Sequence, residues 1–328
     1  MAESTLIVSP APHIRSGVTT PALMRDVVIS LIPACAAGVY FFGARALVSL
    51  AAAIVGTVGA EYILERITGR PVTIGDWSAV VTGVLLAMVL PPHVPWWILV
   101  LSGFFTIGVV KLLFGGLGFN VFNPALAGRA FAVAAWSALA NSGYIWPAGA
   151  EAAHWVQGFD AVSTATPLTL LKMGEIGGIP MTRFYAPLFF GNVAGSLGET
   201  SALALLVGAA YLLWREHISL RIPLTYIGTV AVITSLYGHD PLFHILSGGL
   251  ILGAFFMATD YVTSPMNPKG QTIFAIGCGV LTALIRIFGG YPEGVCYSIL
   301  IMNAAVPLID RFARPKRFGE VKARGQNA

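Results

Sequence analysis

The sequence predicts an all-α, polytopic membrane protein with about ten transmembrane helices. Of its 328 residues, 56% are hydrophobic and only 10% are charged, whereas soluble domains carry about 25% charged residues. Apolar runs of about 20 residues, each long enough to cross a bilayer as a helix, recur from Asp26 almost to Phe312. Because these runs are continuous rather than alternating, a transmembrane β-barrel is excluded.

Hydropathy and helix-breaking residues divide the apolar runs into two sets of five spans. The chain is therefore expected to comprise a cytoplasmic N-terminal segment (1–25), a first five-helix half (26–142), an external loop (143–198), a second five-helix half (199–312) and a basic cytoplasmic tail (313–328). The predicted spans lie near residues 26–43, 46–65, 77–91, 95–114, 124–142, 199–214, 221–237, 241–258, 271–289 and 293–312.

The distribution of Lys and Arg predicts the orientation of these spans. With ten spans the termini share one side of the membrane, and that side receives most of the 19 Lys and Arg residues, Arg129 among them. Positive charge is retained in the cytoplasm, so both termini are predicted to be cytoplasmic and the 143–198 loop external. The other side receives Arg45, Lys172, Arg183 and Arg286.

Five spans on each side of the loop give two halves of opposite orientation, which is the arrangement of inverted repeats. Internal similarity supports such a repeat. Residues 82–87 in span three are similar to residues 248–253 in span eight, and residues 114–116 are similar to residues 288–290. We therefore expect two inverted five-helix repeats.

Clusters of proline interrupt the apolar runs at residues 90–95 and 264–268. One interpretation is that they mark loops between spans. The other is that they mark half-helices around a central site, where freed backbone groups are satisfied by protein or ligand. Both interpretations fit the sequence.

No metal site and no nucleic-acid surface is predicted. Cys35, Cys278 and Cys296 are far apart in apolar runs, and no His or Cys cluster has the spacing of metal ligands. The basic residues between Arg311 and Arg324 are expected to lie beside lipid headgroups.

The external loop contains a hydroxyl-rich motif that ends at a proline. It consists of Asp160, Ala161, Val162, Ser163, Thr164, Ala165, Thr166, Pro167 and Leu168. Ser and Thr before Pro commonly cap helices, so a simple helix start is one interpretation.

This motif also resembles the flavin-attachment motif of a family. In the D subunits of Rnf complexes and the related B subunits of sodium-translocating NADH:quinone oxidoreductases, the pattern is approximately D-x-x-S-x-A-T-P. Residues 9–16, 24–27 and 118–125 are also similar to family segments, so the resemblance runs along the chain. One departure is Thr164, which stands where the quinone-reductase relative has glycine and leaves Ser163 and Thr164 as rival hydroxyls.

The resemblance implies that Thr166 carries FMN through a phosphoester bond. Asp160, Ser163, Thr164, Ala165 and Pro167 would then be its motif neighbours. It also implies riboflavin as a second flavin, which we expect in a cavity between the two halves. The cations that could contact the FMN phosphate are Lys172 and Arg183.

Ionisable residues inside spans are candidates for function because they are costly to bury. Glu61 and Glu65 are four residues apart and should share one helical face, and Glu61 is the candidate for an ion path. Asp260, which follows span eight, is a second candidate. Lys111 and Arg286 lie near span ends and are expected to reach the headgroups.

By resemblance, the function expected is that of an electron-carrying component of an Rnf-type complex in a bacterial inner membrane. Such a complex couples electron transfer between ferredoxin and NAD⁺ to translocation of Na⁺ or H⁺, and it also contains A, B, C, E and G subunits. The chain would not be a complete enzyme alone. The alternative is a channel or transporter for small polar solutes, since inverted repeats serve that function too.

Overall fold

The computed structural model describes residues 18–141, 166–174, 179–291 and 293–313, and in these ranges the secondary structure is helical with no strands. The motif residues Asp160, Ser163, Thr164 and Ala165 lie outside the described residues. In chain order the helices are α1 (Thr20–Phe42), α2 (Ala44–Ile67), α3 (Ser78–Val89), α4 (Trp96–Phe105), α5 (Pro124–Ala135), α6 (Ser137–Asn141), α7 (Pro167–Met173), α8 (Thr182–Phe190), α9 (Ala202–Trp214), α10 (Arg221–Leu236), α11 (Pro241–Leu246), α12 (Leu250–Leu252), α13 (Pro268–Phe288) and α14 (Val295–Phe312).

Four helices, α1, α2, α13 and α14, are long and apolar enough to cross a membrane. Five shorter apolar helices accompany them: α3, α5, α9, α10, and α4 with its π-helical continuation Thr106–Leu112. The prediction of an all-α membrane protein is therefore confirmed, although only part of the predicted spans are helices of full membrane length.

The predicted span at 241–258 is wrong as a single helix. α11 ends at Leu246, and Gly248 and Gly249 both take positive φ angles, of 69° and 66°, before α12 begins. Such angles are accessible to glycine without steric cost and interrupt a right-handed helix. α12 then continues as the π-helical stretch Gly253–Met257.

The short helices α3 and α12 meet at Gly198, on the short 3₁₀ turn Leu197–Glu199. A Cβ atom at Gly198 would lie 2.9 Å from the carbonyl oxygen of Met88 and 2.5 Å from Leu252. Only glycine allows so close an approach. The last turn of α3 and the last residue of α12 are thereby brought together inside the bundle.

α5 begins within the bundle rather than at its edge. Its N-cap residue Asn123 accepts a hydrogen bond from Leu126 N–H with its side chain. The backbone N–H of Asn123 donates to Asn303 Oδ1 at 3.1 Å, in the middle of α14. An amide from a neighbouring helix thus satisfies a buried helix start, as backbone groups in a membrane require.

Because α5 begins inside the bundle, the prediction that Arg129 lies on the side of the termini is wrong. Arg129, in the second turn of α5, pairs with Glu293 at the opposite end of α14 from the C-terminal tail. The predicted charge count treated span five as crossing the whole bilayer, whereas α5 begins beside the middle of α14.

Glycine contacts hold α2 against α4. A Cβ at Gly56 would lie 2.8 Å from Val100 Cα, and one at Gly103 would lie 2.9 Å from the backbone of Gly56. Small residues allow such close approach of membrane helices. The packing places Glu61 of α2 opposite Lys111, at the end of the π-helical continuation of α4.

Candidate functional sites at the two ends of the bundle

Two groups of polar residues lie at opposite ends of the bundle. We call them the Thr166 end, which includes α7 and the turn between α13 and α14, and the Lys111 end, which includes the last turns of α2 and the start of α3. α13, with 21 residues, runs from one end to the other, a length of about 31 Å at 1.5 Å per residue.

Thr166 is buried, with 3% of its surface exposed, and is the N-cap of α7. Its Oγ1 accepts a hydrogen bond from Thr169 N–H at 3.3 Å and lies 2.9 Å from Thr169 Oγ1. Pro167 is the first residue of α7, where a missing N–H costs nothing. The capping interpretation of the motif is therefore confirmed for Thr166, and it fixes the hydroxyl beside Thr169.

Contacts with the second half of the chain position α7. A Cβ at Gly248 would lie 2.2 Å from Leu168, so α7 packs directly on the glycine turn before α12. The Lys172 ammonium donates a hydrogen bond to the carbonyl oxygen of Gly289, just after α13. The partial burial of Lys172 lowers the pKa of its ammonium group.

A cleft with about 790 Å³ of empty space, part of it open to solvent, adjoins Thr166. Thr169 lies on its wall and is the link to Thr166. The aromatic rings of Tyr291 and Tyr297 lie 5.3 Å apart between centroids and also line it. The charged residues of the wall are Arg129 and Glu293. Aromatic rings around a concave space suit a planar ligand.

Lys172 and Arg183 are not on the wall of this cleft among the described residues. Both are exposed, and Arg183 projects from α8. Their contact with an FMN phosphate stays a prediction.

Behind the cleft lies a set of buried charges that the sequence did not indicate. Arg129 pairs with Glu293, and Arg286 lies within electrostatic range of Glu293 and Glu199. Arg286 is 5% exposed and donates to the carbonyl oxygens of His244, Ser247, Gly248 and Glu293. The expectation that Arg286 reaches the headgroups is therefore wrong. Glu199 and Glu293 each stand at the first residue of a predicted span, where a carboxylate resembles an ordinary interface charge.

At the Lys111 end, Glu61 forms a fully buried ion pair. Lys111 Nζ lies 2.5 Å from Glu61 Oε1 and 2.6 Å from Ser78 Oγ, and Lys111 is only 2% exposed. Lys111 therefore does not reach the headgroups, contrary to expectation, because Glu61 and Ser78 bind it inside the bundle. Glu61 Oε2 is buried without a hydrogen-bond partner among the described residues.

The shared face of Glu61 and Glu65 is confirmed by a common partner. Thr73 Oγ1 lies 3.0 Å from Glu61 Oε1 and 2.6 Å from Glu65 Oε1, and Thr73 N–H donates to Glu65 Oε2 at 2.9 Å. The Thr73 hydroxyl thus joins the two carboxylates, and Lys111 binds one of them, Glu61, directly.

A second cavity, with about 820 Å³ of empty space that includes open solvent, adjoins this ion pair. Its wall takes Lys111 and Ser78 from the first half and Asp260 from the second. Asp260 Oδ2 accepts a hydrogen bond from Thr263 Oγ1 at 3.0 Å, and burial raises the pKa of the Asp260 carboxyl. The structure therefore brings Asp260 and the partner of Glu61 to one cavity, and it places Thr166 at the other end.

The chain is similar in sequence to members of one family over nearly its whole length. The chain matches the model of the NQR2, RnfD, RnfE family over residues 7–319. It is 49% identical to the D subunit of the Na(+)-translocating ferredoxin:NAD(+) oxidoreductase complex of Acetobacterium woodii, over 98% of both chains. It is 44% identical to the D subunit of the proton-translocating ferredoxin:NAD(+) oxidoreductase complex of Clostridium ljungdahlii, over 95% of this chain and 96% of the relative. It is 41% identical to the D subunit of the ion-translocating oxidoreductase complex of Stutzerimonas stutzeri, over 93% of both. The chain belongs to the NQR2, RnfD, RnfE family.

Proposed function

We propose that this protein is the D subunit of an ion-translocating ferredoxin:NAD⁺ oxidoreductase and carries electrons between its partner subunits. The observation that carries the proposal is the near full-length similarity to the D subunits of such complexes. Its partners would be the A, B, C, E and G subunits of an Rnf-type complex, in a bacterial inner membrane. The relatives are named for different ions, so the ion is to be measured as flux into vesicles with and without Na⁺.

At the Thr166 end, FMN is attached through a phosphoester to Thr166. The adjoining cleft supports this attachment, because Thr169 both contacts the Thr166 hydroxyl and lines the cleft. The flavin supplies the redox chemistry, and the protein supplies position and electrostatics. Tyr291 and Tyr297 offer aromatic contact to a flat ring, and Arg129 offers positive charge to offset the charge of an added electron.

Mass spectrometry of the Thr166 peptide tests this attachment in protein expressed with the flavin-attaching machinery. Thr166→Ala should lose the FMN mass completely, because no hydroxyl remains to esterify. Losing the N-cap costs about 1 kcal/mol, so the variant should still assemble. Ser163→Ala and Thr164→Ala are the matched controls and should keep the mass.

The outcomes of this test separate the hypotheses. Retention of FMN in Thr166→Ala with loss in Thr164→Ala would move the attachment to Thr164. A wild-type peptide with no FMN, and a dark band of 34.6 kDa in a gel viewed for flavin fluorescence, would favour the solute transporter instead.

At the Lys111 end, we assign the second flavin, riboflavin, to the cavity lined by Lys111 and Asp260. Glu61 and Asp260 belong to an ion path that reaches this cavity. The burial of Glu61 and the unpartnered Oε2 support the assignment, since a buried carboxylate with unused hydrogen-bonding capacity suits a transient cation or proton.

The ten-span topology with inverted repeats and cytoplasmic termini belongs to the same proposal. The meeting of α3 and α12 at Gly198 supports it, because these helices correspond in the two predicted halves. A cysteine placed at Gly158 should react with an impermeant thiol reagent from outside, and one at Gly325 should not. The reverse labelling would refute the orientation.

A further inference from the structure

Four charged side chains lie between the Thr166 cleft and the interior of the bundle: Arg129, Glu199, Arg286 and Glu293. Glu199, Arg286 and Glu293 are buried, and the side chain of Arg129 is only 11% exposed. With both carboxylates ionised, the two positive and two negative charges cancel. This neutrality matters because uncompensated charge is costly away from water.

Arg129 and Arg286 bind different kinds of partner. All three nitrogens of Arg286 donate to backbone carbonyl oxygens, including Glu293 O at 3.0 Å from Nε and Ser247 O at 3.0 Å. Arg286 is therefore a fixed positive charge. Arg129 instead pairs with the Glu293 carboxylate while it lines the cleft, so it can also face a ligand there.

Glu199 also lies near the pair formed by Arg129 and Glu293. Its carboxylate lies on the glycine turn before α12, since a Cβ at Gly249 would be 3.2 Å from Glu199 Oε1. It interacts electrostatically with Glu293 and with Arg129. Two carboxylates thus share one arginine at the edge of the cleft.

An electron that arrives in the cleft adds one negative charge to a neutral set. Arginine cannot change its charge in proteins, so among these four side chains only the carboxylates can take up a proton. We propose that Glu199 and Glu293 form the proton-accepting pair that balances the charge of a reduced flavin in the Thr166 cleft. This inference rests on the proposed attachment of FMN at Thr166.

The step balances in charge and atoms. A one-electron donor in a partner subunit, a flavin or an iron–sulfur cluster, loses one electron to the flavin. A hydronium ion at the Thr166 end loses one proton, so one of its O–H bonds breaks, and the proton binds a carboxylate oxygen of the pair, where one O–H bond forms. The proton leaves when the electron passes to the next carrier, so proton uptake follows the redox state of this protein.

The other groups that face the pair do not compete for this proton. His244 of α11 lies next to Arg286, whose positive charge opposes a second cation. The hydroxyl and thiol groups on the α14 side are neutral donors that already carry their protons. The titratable groups near the pair are Arg129, Arg286, Tyr291, Cys296 and Tyr297, and His244 contacts Arg286 rather than the pair.

Redox-difference infrared spectroscopy of the purified complex tests the pair. On reduction, the wild type should show a new protonated-carboxyl C=O band and take up a proton, measured with a pH indicator in weak buffer. Glu199→Gln and Glu293→Gln should each weaken or remove the band while keeping the FMN mass on the Thr166 peptide. Glu199→Asp, which keeps a carboxyl group, should retain a band at a shifted position.

Glu65→Gln is the matched control, because it removes a buried carboxylate at the other end of the bundle and should leave this band intact. Persistence of the full band in both Gln variants, or its presence in flavin-free Thr166→Ala, would overturn the inference. A wild type that carries covalent FMN but shows no band would refute this inference alone. A wild type without FMN would refute the proposed attachment and, with it, the inference.

Discussion

Both ends of the bundle bury ion pairs, but the two are assembled differently. At the Lys111 end, Glu61, Glu65, Thr73 and Lys111 all come from the first half of the chain. At the Thr166 end, Arg129 of the first half pairs with Glu293, 164 residues away in the second. The cluster at the Lys111 end is thus built from the first half alone, whereas the ion pair at the Thr166 end depends on how the two halves pack together.

The chemistry of the cations differs too. A lysine ammonium can release its proton when buried, whereas arginine keeps its charge and binds in a fixed planar geometry. At the Lys111 end the cation is a lysine, whose ammonium group has no fixed planar geometry. At the Thr166 end the positive charge is fixed, so a change of charge must come from Glu199 or Glu293. Ion handling thus suits the Lys111 end, and charge balance for an electron suits the Thr166 end.

Among the variants that test this difference between the two ends, Arg129→Met is expected to have the largest effect. The change removes the arginine that pairs with Glu293 and lies near Glu199, and breaking a buried pair in this way costs about 3–5 kcal/mol. Thermal unfolding of the purified complex measures the loss. Addition of Glu293→Gln to Arg129→Met should restore most of it, because the second change removes the stranded charge. No recovery in the double variant would show that the pair does not join the halves electrostatically.

Glu61→Gln should have the next largest effect, on coupling and also on stability, because it leaves Lys111 buried without its counter-charge. Glutamine keeps the shape and the contact with Thr73 but cannot carry the charge, so ion-coupled turnover in vesicles should fall several-fold. Covalent flavin should be unchanged because Thr166 lies at the other end. Glu65→Gln is the matched control on the same helical face. Unchanged ion transport in Glu61→Gln would show that Glu61 is a buried, paired carboxylate with no role in ion transport.

Asp260→Asn should produce a smaller change that depends on pH. Burial raises the pKa of Asp260 in the folded protein above its ordinary value of 3.8, so the folded state holds this proton more tightly than the unfolded state. Stability is therefore lost as pH rises from about the ordinary value through the raised pKa. The variant should be more stable than the wild type above that window and equal below it. Thermal unfolding of both proteins across pH is the measurement. A stability difference between Asp260→Asn and the wild type that increases at lower pH would contradict this prediction.

The smallest effect is expected from Lys172→Met at the Thr166 end. Lys172 is exposed and binds one carbonyl oxygen, that of Gly289, so its loss should change stability by less than about 1 kcal/mol. Arg183→Met is the matched control on α8. A marked fall in covalent flavin in Lys172→Met alone would show that Lys172 binds the FMN phosphate after all.

The membrane character of the chain was predictable because it depends on composition and on the length of apolar runs. The N-cap role of Thr166 was predictable for a similar reason, since a cap is decided by a few consecutive residues. Glu61 and Glu65 on one face followed from helical periodicity alone. The break between α11 and α12 was harder, because Gly248 and Gly249 fit equally well inside an apolar helix.

The sequence by itself therefore determined a helical membrane protein, its family resemblance and the hydroxyl motif, since each depends on residues that are close together in the sequence. Only the tertiary structure decided which charges meet. It placed Arg129 with Glu293 because α5 begins at Asn303 in the middle of α14. It also placed Glu199 beside them, through the turn where α3 and α12 approach at Gly198. Charges so distant in sequence pair only after helix packing has excluded water and brought them within reach of one another.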